Sequence, residues 1–126
     1  MSKPFALIVE DHVDAAVIFT EALKKTGYET DTVRTGDAAL ARLATSVPDL
    51  VILDLSLPRV SGVQILDEIR ADPRLARTRV LVATAHPQMA DTIRAKADLV
   101  LVKPISYTQL REVVGGLGIG AEGRAS

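Results

Sequence analysis

The chain has 126 residues, enough for one domain with one sizeable core. Fifteen Lys and Arg against sixteen Asp and Glu leave a formal charge of −1, so no bulk basicity points to nucleic acid. Cysteine is absent and aromatics make up 3%, which excludes disulfide frameworks, thiolate catalysis and Cys-bound metals, and leaves little to stack on a base or flavin.

In chain order, Met1 to Pro4 carries no targeting pattern, and acidic residues begin at Glu10, too early for a secretory signal. Residues 5–9 form a continuous apolar run, as expected of a strand covered on both faces. Ala15, Ile18, Phe19, Ala22 and Leu23 then recur on one helical face, and Gly27 is placed to stop the helix. Residues 28–33 mix Glu29 and Asp31 with Thr and Val, which predicts a half-exposed edge strand. Ala39, Leu40, Leu43 and Ala44 mark a second helix, and residues 50–53 a third strand. Ile65, Leu66 and Ile69 mark a third helix, opened by Ser61 with Gln64 three residues on, a capping box. The fourth and fifth strands fall at 80–83 and 99–102, with one short helix within 87–96 that turns Ile93 inward. Ser106 and Gln109 repeat the box before Leu110, Val113, Val114 and Leu117. The Gly-rich stretch from Gly115 onward has no helical pattern and is expected to fray.

Five strands alternating with five helices predict one doubly wound parallel sheet with helices on both faces. No apolar stretch reaches membrane-spanning length, so a soluble, cytoplasmic protein is the expectation.

In such sheets ligands bind beyond the carboxyl ends of the strands. The residues at those ends are Glu10-Asp11, Asp54, Thr84-Ala85 and Lys103-Pro104. Three carboxylates in one cleft repel each other unless a cation is present, and hard oxygen ligands suit Mg²⁺. A carboxylate beside Mg²⁺ can attack phosphorus and become an aspartyl phosphate, with Lys103 and the Thr84 hydroxyl meeting the phosphoryl oxygens.

These residues, with Leu55-Ser56-Leu57-Pro58 and Gly62 following Asp54, resemble the receiver (phosphoacceptor) domains of bacterial two-component response regulators, over about residues 5–117. The resemblance implies a (βα)5 flavodoxin-like α/β fold with strand order 2-1-3-4-5, a receiver domain over 1–118 and a flexible tail over 119–126. It implies Asp54 as phosphoacceptor from a histidine kinase or phosphotransfer protein, and a cofactor Mg²⁺ on Glu10, Asp11, Asp54 and the Ser56 backbone carbonyl. Lys103 and Thr84 would contact the phosphoryl group, Ser56 and His86 would flank the hydrolytic water, and the Lys103-Pro104 peptide is often cis in the family. The chain would assist its own phosphorylation and slow dephosphorylation without being an enzyme in the usual sense.

Two departures from the family pattern stand out. Val100 occupies the switch position where the family commonly has an aromatic, and only eighteen residues separate Thr84 from Lys103, which shortens the fourth helix. A homodimer through the helix 4–strand 5–helix 5 face is a further candidate contact, and too few residues follow Leu117 for a DNA-reading domain. His12 and His86 read as solvated loop residues beside the site. A flavoprotein reading fails for want of aromatics, and a haloacid-dehalogenase-like phosphatase needs an Asp where Ser56 stands. A receiver-like docking module that is never phosphorylated remains the alternative.

Overall fold

The computed structural model describes residues 3–57 and 60–117. Five strands, β1 (Phe5–Val9), β2 (Glu29–Val33), β3 (Leu50–Asp54), β4 (Arg79–Thr84) and β5 (Leu99–Val102), pair in parallel in the order β2-β1-β3-β4-β5. Between and after them run α1 (Val13–Lys25), α2 (Gly36–Ala44), α3 (Gly62–Ala71), α4 (Pro87–Ile93) and α5 (Tyr107–Gly116). The expected strand order is therefore the observed one. The chain reverses its winding direction between β1 and β3, so the crevice beyond their carboxyl ends is the switch point at which α/β sheets take ligands.

Burial follows the sequence pattern. Every residue of β3 is buried, and β1 is buried from Ala6 onward, whereas β2 lies at the sheet edge and is half-exposed. One apolar cluster packs Leu7, Val51, Leu53 and Val82 against Leu43, Ile65, Leu66 and Ile69 of α2 and α3. The other packs Ile8, Ile52 and Leu81 against Phe19 and Leu23 of α1 and Leu110 and Val114 of α5. Each fully buried Leu or Ile contributes about 1.5–3 kcal/mol relative to exposure, so the two-sided core holds the sheet rigid under its own loops.

Helix ends match their signals. Gly27 takes φ +98°, and the N–H groups of Gly27 and Tyr28 donate to the carbonyls of Lys24 and Leu23 at 3.1 and 3.0 Å, a Schellman stop. The Ser61 and Ser106 hydroxyls accept from the N–H groups of Gln64 and Gln109 at 3.2 and 3.0 Å, the serine half of each predicted box.

Two expectations need correction, and one element is additional. Ile18 is 38% exposed, because the buried stripe of α1 runs through Ala16, Phe19, Ala22 and Leu23 and leaves Ile18 on its flank. A 3₁₀ turn, Pro73–Leu75, was not expected; the Asp72 carboxylate accepts from the Arg74 N–H at 2.9 Å and drops Leu75 into the core. Helix α5 continues through Gly115 and Gly116, because Leu110 and Val114 anchor it and Leu117 packs against the same cluster. The predicted flexible tail at 119–126 lies outside the described residues. Among the described residues, no helix is long and apolar enough to cross a membrane.

Candidate functional site

The parallel register brings the strand ends together: Val9 pairs with Leu53, Asp54 with Ala83, and Thr84 with Val102. Glu10 leaves β1, Asp54 ends β3, Thr84 ends β4 and Lys103 follows β5, so four separate chain segments meet over the switch point. Glu10 and Thr84 are fully buried and Asp54 is 2% exposed. Burying three polar side chains of this kind is costly unless each finds a partner.

Lys103 supplies one. Its Nζ lies 2.8 Å from Glu10 Oε1 and 3.5 Å from Asp54 Oδ1, and its side chain is itself mostly buried. The Ser56 N–H donates to Asp54 Oδ1 at 3.1 Å, and the Ser56 side of the loop is exposed. Asp54 Oδ2 and Asp11 Oδ1 are buried and accept no hydrogen bond. Burial, followed by the charge of Glu10, pushes the Asp54 carboxyl up to about 6, against the lowering pull of the Ser56 N–H and of Lys103.

Two carboxylate oxygens without donors in a desolvated pocket are what a divalent cation relieves. One ligand atom from each of Glu10, Asp11, His12 and Asp54 can be chosen so that all lie within 4.8 Å of one another, which fits a single ion. Donors of this kind suit a hard cation such as Mg²⁺.

Other expected residues fall as follows. The Thr84 hydroxyl accepts from the His86 N–H at 3.0 Å, so it is held by the loop that follows it. His86 is exposed just before α4. Val100 is buried in β5, paired with Val82 in the cluster on the α2–α3 side. Tyr107 does not replace the missing ring: it packs on the α1–α5 cluster and lies under Arg111, 5.5 Å from its centroid. The Lys103-Pro104 peptide is cis, as the resemblance implied. Pro58 lies outside the described residues.

The His12 side chain is 71% exposed, in keeping with the solvated reading, and its Nδ1 also lies 3.3 Å from both Glu10 Oε2 and Asp11 Oδ1. Sequence reading missed two contributors. The Arg34 guanidinium donates to the Asp11 carbonyl at 3.3 Å, a contact across the β1–β2 ends that no local pattern signals. Gly62, quoted only as part of a motif, has a steric reason: a Cβ there would meet Leu55 Cα at 2.5 Å and the Asp54 carbonyl oxygen at 2.6 Å.

A buried aspartate flanked by a lysine and further carboxylates stands at the switch point of a five-stranded parallel sheet, the place where doubly wound α/β domains hold their functional groups. Residues 6–115 match the response regulator receiver domain, and the chain belongs to that family. It is 36% identical over 110 residues to the phosphate regulon transcriptional regulatory protein PhoB of Rhizobium meliloti, which covers 85% of this chain and 48% of PhoB. It is 31% identical over 111 residues to the polar-differentiation response regulator DivK of Brucella ovis, covering 86% of this chain and 90% of DivK. The chain thus spans about half the length of PhoB. Among solved structures, the CheY-like receiver domain from Methylobacillus flagellatus superposes with a TM-score of 0.82 at 31% identity, covering 92% of this chain and 99% of that one.

Proposed function

We propose that this chain is a phosphorylation-dependent switch of a two-component or phosphorelay system, and that Asp54 accepts the phosphoryl group from a phosphohistidine. The observation that carries the reading is the state of Asp54. It is 2% exposed, with Oδ2 free of hydrogen bonds and Oδ1 held by Ser56 and Lys103. A nucleophile needs a free lone pair and a fixed direction, and this carboxylate has both.

In the transfer, an Asp54 carboxylate oxygen forms the bond to phosphorus while the P–N bond of the donor breaks and its electron pair returns to the imidazole. Mg²⁺ on Asp11, Asp54, the Ser56 carbonyl and Glu10 would neutralise the carboxylate cluster and the incoming phosphoryl oxygens. Lys103 stands between Glu10 and Asp54 and would turn its ammonium to the new phosphate. Thr84 would turn the O–H that faces the His86 carbonyl at 3.5 Å to a phosphoryl oxygen, drawing the loop before α4 inward. Ser56 and His86, both exposed, would set access of the hydrolytic water.

The donor histidine has to reach this pocket on a partner, a histidine kinase or phosphotransfer protein. Val13 on α1 is 57% exposed, and an open, mostly apolar groove of about 610 Å³ runs from it past Ile18, Phe19 and Ile105 to Lys103. That surface supports docking of a partner directly beside Asp54. The response would pass to the α4–β5–α5 face, where Val102 is 41% exposed, while Val100 at the switch position is packed in the core. That face is also where a homodimer would form. Transfer is tested with a phosphorylated histidine phosphotransfer protein: label should pass to this chain and be released by hydroxylamine, as an acyl phosphate is. Label that never transfers overturns the reading in favour of a docking module, and label that resists hydroxylamine overturns Asp54 as its site.

A further inference from the structure

One side chain at the site has no part in the transfer just described. His12 is the N-cap residue of α1, with φ −85° and ψ 123°, yet its side chain makes no capping hydrogen bond. The imidazole instead folds back over the carboxylates, with Nδ1 at 3.3 Å from Glu10 Oε2 and 3.3 Å from Asp11 Oδ1. The contact to Asp11 lacks hydrogen-bond geometry, since Asp11 Oδ1 is buried without a donor. On the far side of the same space, Asp54 Oδ2 is also buried without a donor. One donor atom from each of the four residues lies within 4.8 Å of the others, close to the roughly 4 Å span of ligands about 2.1 Å from one ion.

We propose that His12 is a fourth protein ligand of the divalent ion, and that it makes the site a mixed carboxylate–imidazole centre with heightened preference for late first-row ions such as Co²⁺, Ni²⁺ and Zn²⁺. The inference rests on the reading of the cluster as a cation site. The chemistry separates the ions: Mg²⁺ takes oxygen ligands and keeps its waters, and gains little from imidazole. Ions later in the first row gain substantially from an imidazole nitrogen. The His12 side chain is 71% exposed, so it is free to swing onto an ion from the solvent side with little desolvation cost. Glu10 remains anchored through its other oxygen to Lys103 throughout.

The test uses the whole chain, untagged and freed of metal, titrated by calorimetry with Co²⁺ and with Mg²⁺. His12→Ala should weaken Co²⁺ binding by about tenfold or more while changing Mg²⁺ affinity by less than about twofold. In the NMR spectrum of the Co²⁺ form, paramagnetically shifted imidazole ring protons should appear for the unaltered chain and for His86→Ala, and vanish for His12→Ala. Equal changes for the two ions, no change for either, or shifted signals that vanish in His86→Ala instead would overturn the proposal. The result is separable from the phosphoacceptor reading. A Mg²⁺-dependent adduct on Asp54 can stand without Co²⁺ selectivity, and Co²⁺ selectivity can stand without an adduct.

Discussion

Asp54 and Lys103 bear opposite relations to stability. Asp54 is raised to about 6 in the folded chain by burial and by Glu10. An unfolded aspartate titrates near 3.9, so between these values the folded chain holds the extra proton and stability falls as pH rises. Below the lower value both states are protonated and no penalty remains. Asp54→Asn should therefore raise the melting temperature in metal-free buffer at pH 7.5 by several degrees, on the order of 1–3 kcal/mol, and the gain should shrink towards zero near pH 4. Thermal melts across that range check the sign, and a gain that grows on acidification would contradict it. Lys103→Met should act the other way. It strips the partner from a fully buried Glu10, at a cost of about 3–5 kcal/mol in the melt, and it abolishes phosphoryl transfer. At this scale the strand-end residues were legible in the sequence because each follows an apolar run directly. The Arg34 contact was not, because it depends on how loops from different strands face each other, and the turn of the His12 ring back onto its neighbours Glu10 and Asp11 is set by the loop's conformation.

At the scale of elements, the caps and runs spoke for themselves, and the failures have local causes. The third and fifth helices start at Ser61 and Ser106 as their spacing required, and the shortened link before Lys103 does give a helix of seven residues, α4. The end of α5 was not legible, since two glycines have low helix propensity and only packing of Leu110, Val114 and Leu117 carries the helix through them. The Asp72-Pro73 pair carried a turn signal that periodicity reading passed over. Gly62 shows how one helix start serves the site: it lets α3 begin against the backbone of Asp54 and Leu55. Gly62→Ala should push that backbone outward, lowering stability by about 1–3 kcal/mol and slowing phosphorylation more than the melt alone explains. Equal phosphorylation rates in the variant and the parent would remove this coupling.

For the whole molecule, β-branched runs and alternation with helices made the parallel sheet legible, and the strand order followed from the family resemblance rather than from pattern. Long-range polar ties were invisible. Arg70 on α3 donates to the Lys96 carbonyl at 2.6 Å, to the Thr78 carbonyl at 3.1 Å and to Asp98 at 2.9 Å, while Lys96 pairs with Asp67 at 2.6 Å. This network pins the segment after the short α4 at the end of the sheet remote from Asp54. Arg70→Met should lower the melt by about 1–3 kcal/mol and leave phosphorylation of Asp54 intact, as a melt beside an adduct assay would show. The most direct measurement takes the purified chain, Mg²⁺ and a small-molecule phosphodonor, and reads intact mass. A single Mg²⁺-dependent phosphoryl adduct, absent from Asp54→Asn, is expected. No adduct, or an equal adduct on Asp54→Asn, would contradict Asp54 as the phosphoacceptor.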